Sequence, residues 1–180
     1  LGLGPMVGGL RGQKFPTLVA MDPELWPIAK DAPPYVHQCG YLRRPDDVEL
    51  PREVEAFLAQ GEAPIYLGFG SMATNQAAQT NTAVAEALRI TGMRAIVSQG
   101  WSDIAGGGDR ILPCGHLPHT ALFPRMSVIV HHGGAGTSWT AARSGTPQVV
   151  VLHIMDQPGW AIRLQALGLA ANPRSGISGV

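Results

Sequence analysis

The chain has 180 residues, 13 basic against 13 acidic, with 45% hydrophobic and 14% charged residues. That is room for one domain plus an appendage, with enough apolar material for a core and too little charge for a disordered chain. Zero net charge and the lack of any Lys/Arg-rich run argue against a nucleic-acid partner, so a bound anion must be held by local geometry.

The two cysteines, Cys39 and Cys114, lack metal-ligand spacing and read as reduced, buried thiols of a cytoplasmic protein. No apolar run reaches the length of a membrane span, which leaves only peripheral membrane contact open. The start, LGLGPMVGGLRG, has no signal-peptide layout and no initiator Met, and the end, ANPRSGISGV, is loop-like. Both ends predict a piece of a longer protein.

Residues 1–62 hold 8 of the 15 prolines and read as irregular. Two short extended runs, FPTLVAM (15–21) and YVHQCGYL (35–42), precede a polar, proline-punctuated linker, RRPDDVELP (43–51). A short helix, 52–60, ends at Gly61. From Pro64 the pattern changes. PIYLGF (64–69) is a nearly continuous apolar run and predicts a buried parallel strand. Helix 76–92, strand 94–99, strand 110–115, one or two helical turns over 119–125, strand 127–132, helix 136–145, strand 147–152 and helix 157–168 follow. Pro158 fits the first turn of the last helix, where a missing N–H costs nothing. This alternation predicts an α/β fold, a Rossmann-like parallel sheet with helices on both faces, over residues 63–180. Ligands of such sheets sit beyond the carboxyl ends of the strands. GSM, GW, GHLPH, HHGGAGT and HIMDQ all fall there.

GFGSMA (68–73) fits the dinucleotide fingerprint, but the second strand ends Val97-Ser98-Gln99-Gly100 without the ribose-binding acid, which argues against NAD. It reads as a tight turn, or as a turn that presents Ser71 and nearby amides to a phosphate. In HHGGAGT (131–137) adjacent strand residues point to opposite faces, so His131 and His132 cannot readily share a metal ion, and no metal is expected. His132 reads as a satisfied core histidine. His131 reads as an added donor beside an anion cradle of Gly133, Gly134, Ala135, Gly136 and Thr137, where a helix N-terminus aims free N–H groups. Asp156 and Gln157 offer acceptors and donors for sugar hydroxyls, or Asp156 caps the last helix. Trp101 and His116 end neighbouring strands. Either can stack on a planar base, or Trp101 packs under the glycines at 106–108.

In their order GFGSM, SQGW, PHTALFPR, HHGGAGT, GTPQVVV and DQPGWAIRLQALG resemble the nucleotide-diphosphate-sugar glycosyltransferases of GT-B fold. The sterol glucosyltransferase-like and glycopeptide-antibiotic branches are the most similar. The resemblance covers about residues 15 to 173. It implies the C-terminal, donor-binding half of a GT-B fold in residues 63–180, truncated before its last elements. Residues 1–62 would then be the end of an N-terminal domain and the interdomain linker. It implies that His131 contacts the donor phosphate, that 133–137 cradle the diphosphate with Ser71 nearby, and that Asp156 and Gln157 bind the sugar. His116 and Leu117 would meet the base, Leu117 through its backbone. The implied reaction is inverting, metal-independent transfer of a hexose, glucose being favoured, from a UDP- or dTDP-sugar to a hydroxyl of a small lipophilic or natural-product acceptor. No cofactor is implied. The acceptor site and the general base would lie in the N-terminal domain, so no catalytic base is expected in this chain and the chain alone is expected to be inactive. Two departures stand out. His153-Ile154-Met155 replaces two aromatics and a glycine before the Asp-Gln pair, and Trp139 stands where a small residue is common. A donor-binding subunit with a separate acceptor-binding chain, and a UDP-sugar epimerase of the same fold, are the alternatives. The epimerase would need more acids at the sugar than Asp156.

Overall fold

The computed structural model describes residues 15–42, 48–69, 77–98, 109–151 and 157–171. The chain divides into two compact units, 1–45 and 46–180. The first holds a parallel pair of three-residue strands, β1 (Thr17–Val19) and β2 (Val36–Gln38). None of its described residues is fully buried. Its order rests on polar clamps: the Gln38 amide donates to the carbonyls of Met21 and Trp26, both at 2.8 Å, and accepts from the Ile28 N–H at 3.3 Å. Cys39 is exposed here, against the expectation of a buried thiol, because a unit this thin has no interior to offer. Cys114 is buried as expected.

The second unit comprises α1 (Arg52–Leu58), β3 (Ile65–Gly68), α2 (Ala77–Thr91), β4 (Ala95–Ser98), β5 (Ile111–Cys114), α3 (His119–Leu122) with a 3-10 turn at Phe123–Arg125, β6 (Val128–His131), α4 (Ala135–Ser144), β7 (Gln148–Val150) and α5 (Gln157–Ala166). Every element expected from Pro64 onward is present, most of them trimmed by a residue or two, with the helix expected over 136–145 shifted one residue earlier. The five strands of this unit are all parallel, in the order β5-β4-β3-β6-β7. Counted from the unit's own first strand this is 3-2-1-4-5, the doubly wound order, with its reversal point between β3 and β6.

Strand periodicity sorts the core onto two faces. Ile65, Leu67, Ala95 and Val97 pack against Val84 and Leu88 of α2 on one face. Tyr66, Ile96 and Ile129 pack on the other face with Val54 and Phe57 of α1, Leu122 of α3, Phe123 and Ala141 of α4. Val54 is fully buried. The expected boundary at 62/63 left α1 in the linker, whereas its apolar side is part of the sheet's own core and the units divide at 45/46. No described helix is long and apolar enough to cross a membrane.

Candidate functional site

The reversal point of the sheet brings two of the expected segments side by side. Gly68, the last residue of β3, is in register with His131, the last of β6, and His131 is in turn in register with Val150 of β7. The chain leaves β6 through His132 and the glycines and enters α4 at once. Its N-cap is Gly134, extended at φ −66° and ψ 143°, with no side-chain cap bond. α4 therefore starts one residue earlier than expected. The N–H groups of Ala135, Gly136 and Thr137 lie in its first turn, where a helix offers donors without intrahelical partners. The first helical bond of this end is the Ser138 N–H to the Gly134 carbonyl, 2.9 Å. Among the described residues no group of three or more His, Cys, Asp or Glu is placed to hold a metal ion.

The two histidines are buried in the reverse of the expected order. His131 is fully buried, and His132 is partly exposed. Position along β6 explains this. Ile129 faces the side covered by α4, so His131, two residues on, faces it too, with β3 and β7 on either flank. His132 lies past the last paired residue. The His131 imidazole is committed at both nitrogens: Nε2 lies 2.9 Å from Oε1 of Gln148, and the Gly133 N–H donates to Nδ1 at 3.1 Å. Burial, above all, pushes its pKa down to about 4; the Gln148 bond opposes this, and His132 and His119 add to it. His131 is thus a neutral, fully bonded core histidine, the character that the sequence suggested for its neighbour.

The glycines differ in their reasons. Gly133 has φ +83°, and a Cβ there would sit 2.8 Å from Cγ1 of Val150. The same Cβ would lie 3.4 Å from Cβ of Gln157, so the first residue of α5 closes the space beside the loop. Gln157 is buried. A Cβ at Gly134 would sit 2.5 Å from His132 Nε2, which means that the His132 ring lies over the start of α4. Thr137 is partly exposed, and Thr140 turns its hydroxyl back to the Gly136 carbonyl at 2.8 Å.

After β5, His116 is exposed and Leu117 is buried in the core, which leaves Leu117 only its backbone for any ligand. Close by lies a pair that sequence reasoning missed. The Tyr66 hydroxyl is 2.9 Å from His119 Nε2, and His119 stacks on Phe123 at 4.4 Å. Burial pushes the Tyr66 phenol up to about 12, against a bond to Ser98, and pushes His119 down to about 4, with His116 adding to it. Trp139 is buried in α4, with the Arg143 guanidinium 5.7 Å above its ring. Ser71, Trp101, Asp156 and residues 153–155 lie outside the described residues.

Residues 93–177 match the family model of the erythromycin biosynthesis protein CIII-like C-terminal domain. Glycosyltransferase GtfE of Amycolatopsis orientalis is 42% identical over 134 residues, covering 73% of this chain and 32% of that protein. The chain carries an EryCIII-like C-terminal domain, and the relatives it matches are glycosyltransferases. The vancomycin aglycone glucosyltransferase of Amycolatopsis orientalis is 39% identical, covering 84% of this chain and 37% of that protein. Sterol 3-beta-glucosyltransferase UGT80A2 of Arabidopsis thaliana is 34% identical, covering 90% and 26%. The chain thus spans about a third of the length of the curated relatives it matches. The fold is shared with the glycotransferase of kitacinnamycin, at a TM-score of 0.70 and 24% identity over 91% of this chain and 42% of that one. It is shared also with the spinosyn rhamnosyltransferase SpnG complexed with thymidine diphosphate, at 0.63 and 23% over 85% and 41%.

Proposed function

We propose that this chain is the donor-binding portion of an inverting, metal-independent glycosyltransferase that moves a hexose from a UDP- or dTDP-sugar to a hydroxyl of a small lipophilic or natural-product acceptor. The observation that carries the reading is the start of α4 at the reversal point of the sheet, with N-cap Gly134 and no side-chain cap. A diphosphate seated there meets the N–H groups of Ala135, Gly136 and Thr137 and the positive end of the helix. His132, over Gly134, is the side chain to add to this contact, and His131 serves the loop from beneath. Ser71, which follows β3 in the sequence, is assigned to the donor phosphates in this reading. Asp156 and Gln157 take the sugar hydroxyls, which fits the place of Gln157 beside Gly133. Trp101, His116 and the Leu117 backbone take the base.

Negative charge grows on the leaving diphosphate as the acceptor hydroxyl attacks the anomeric carbon from the opposite face. Fixed N–H dipoles stabilise it without reorganisation. The general base and the acceptor contacts belong to an N-terminal domain in this reading, in keeping with the names of the relatives, which act on vancomycin aglycone and on sterols. The bound thymidine diphosphate of SpnG supports a nucleoside diphosphate as the ligand class. Calorimetric titration of the full chain with UDP, UDP-glucose and dTDP-glucose tests the donor reading. Saturable binding of at least one, competed by free UDP or dTDP, is expected. A folded sample that binds none of them overturns it.

A further inference from the structure

We propose that Gln148 is a positioning residue for the donor cradle, acting through His131; the proposal rests on the donor-binding reading above. A backbone N–H can only donate. The bond from the Gly133 N–H therefore requires an unprotonated Nδ1 on His131. A neutral imidazole then carries its proton on Nε2 and donates it to Gln148, which must present its carbonyl oxygen, as Oε1 at 2.9 Å does. One amide thus fixes one tautomer, and that tautomer fixes one peptide N–H.

That peptide is the one on which the loop turns. Gly133 has φ +83° and is wedged between Val150 and Gln157. With its N–H held inward by His131, the next peptides run out toward Gly134 and the N-terminus of α4. The other tautomer would set an imidazole N–H against the Gly133 N–H and push the loop off its seat.

Gln148 is well placed to impose this. It is 2% exposed, on the α4 side of β7 beside β6. Its backbone is clamped on the far side by the Gln148 N–H to the Leu169 carbonyl, 3.2 Å, and the Ala171 N–H to its own carbonyl, 2.9 Å. Among the described residues its amide Nε2 is buried without a hydrogen-bond partner, a cost that a mere space-filling residue would not incur. An apolar side chain would fill the position more cheaply, so the amide is retained for its oxygen.

The test compares Gln148→Leu with Gln148→Glu in the full chain at pH 8. The readouts are histidine ring ¹⁵N spectra, UDP titration and thermal unfolding. The wild type should show His131 with its proton on Nε2. Leu keeps the volume and removes the acceptor. It should disturb the His131 ring signals and weaken UDP binding about tenfold, the size of one lost hydrogen bond. Glu keeps an oxygen at the same reach and should restore both the tautomer and binding to within about twofold. If Gln148 only packs, Leu will bind UDP as well as the wild type, and Glu, a buried acid, will be the worse variant; that order overturns the proposal. So does a wild-type His131 with its proton on Nδ1, which can be read even if a variant fails to fold. Loss of UDP binding in the wild type would instead count against the donor reading and leave the tautomer measurement intact.

Discussion

His131 and His132 should fail in different ways when each is replaced by Ala. His131→Ala deletes a fully buried ring and strands two buried groups, the Gln148 Oε1 and the Gly133 N–H. Each orphan costs about 1–3 kcal/mol, and the vacated space adds to that, for a total of roughly 3–5 kcal/mol. In a folding unit the size of residues 46–180, at about 3 °C per kcal/mol, Tm should fall by roughly 10 °C. His132 is partly exposed over Gly134, so His132→Ala should cost about 1 kcal/mol or less in stability. It should weaken UDP binding about 10- to 100-fold, the worth of a hydrogen bond to a charged group. Differential scanning calorimetry and UDP titration on the two variants separate these effects. The reasoning is refuted if His131→Ala keeps the wild-type Tm while losing UDP, or if His132→Ala binds UDP at wild-type affinity.

Two further outcomes follow from the described groups. His131 and His119 have folded-state pKa values pushed down to about 4, below the 6.5 of a free imidazole. Between pH 6.5 and 4 the unfolded chain therefore binds more protons than the folded one, and stability falls as pH falls through that window, by up to about 1.4 kcal/mol per pH unit for each group. Urea unfolding across this range should show the loss, and His119→Phe should flatten the slope; an unchanged slope in that variant would show that His119 does not carry the effect. Among the thiols, burial pushes Cys114 up to about 11, while Cys39 is exposed. Native protein at pH 7.5 should take up one maleimide, at Cys39, and a second only on unfolding; rapid double labelling of native protein would contradict the burial of Cys114.

The sequence carried the sheet because its strands are short apolar runs closed by Gly or Pro, and such runs have one common use between helices. It carried the junction between β6 and α4 because HHGGAGT joins a strand to a helix through two adjacent glycines. It did not carry the order of burial within the histidine pair. Strand parity tells that His131 and His132 face opposite ways, but only the covering helix and the flanking strands decide which way is inward. α1 was lost to the linker for a similar reason. REVEAFL shows just three strongly apolar positions, and their value lies in the sheet they reach, Val54 and Phe57, with Leu58 beside them, against Tyr66 and Ile96. The signal for Gln148 was present and unread: a lone amide in a run of valines, PQVVV, is a polar group on its way to burial, and a buried amide needs a partner. Tyr66 in PIYLGF is the same kind of signal, answered by His119.

The placement of the arginines bears on how, in the proposed reading, a protein of zero net charge would hold a diphosphate. Arg94 lies just before β4, donates to the carbonyls of Glu62 and Phe57, and covers the Phe57 ring at 4.1 Å. Arg110, just before β5, donates to the Gly92 carbonyl. Both guanidinium groups therefore work at the amino edge of the sheet, one of them on a carbonyl at the C-terminal end of α2, where positive charge complements the helix dipole. Arg89 and Arg125 are engaged with Glu86 and Glu55 on the surface. These four cations are committed elsewhere; among the described residues the reversal point offers the N–H groups at the start of α4 and the His132 ring over Gly134. Such a site binds an anion by direction. Its strength depends on how rigidly a few N–H groups are aimed. On the proposals above, that is how a buried histidine, and the glutamine that would set its proton, come to matter to the chemistry above them.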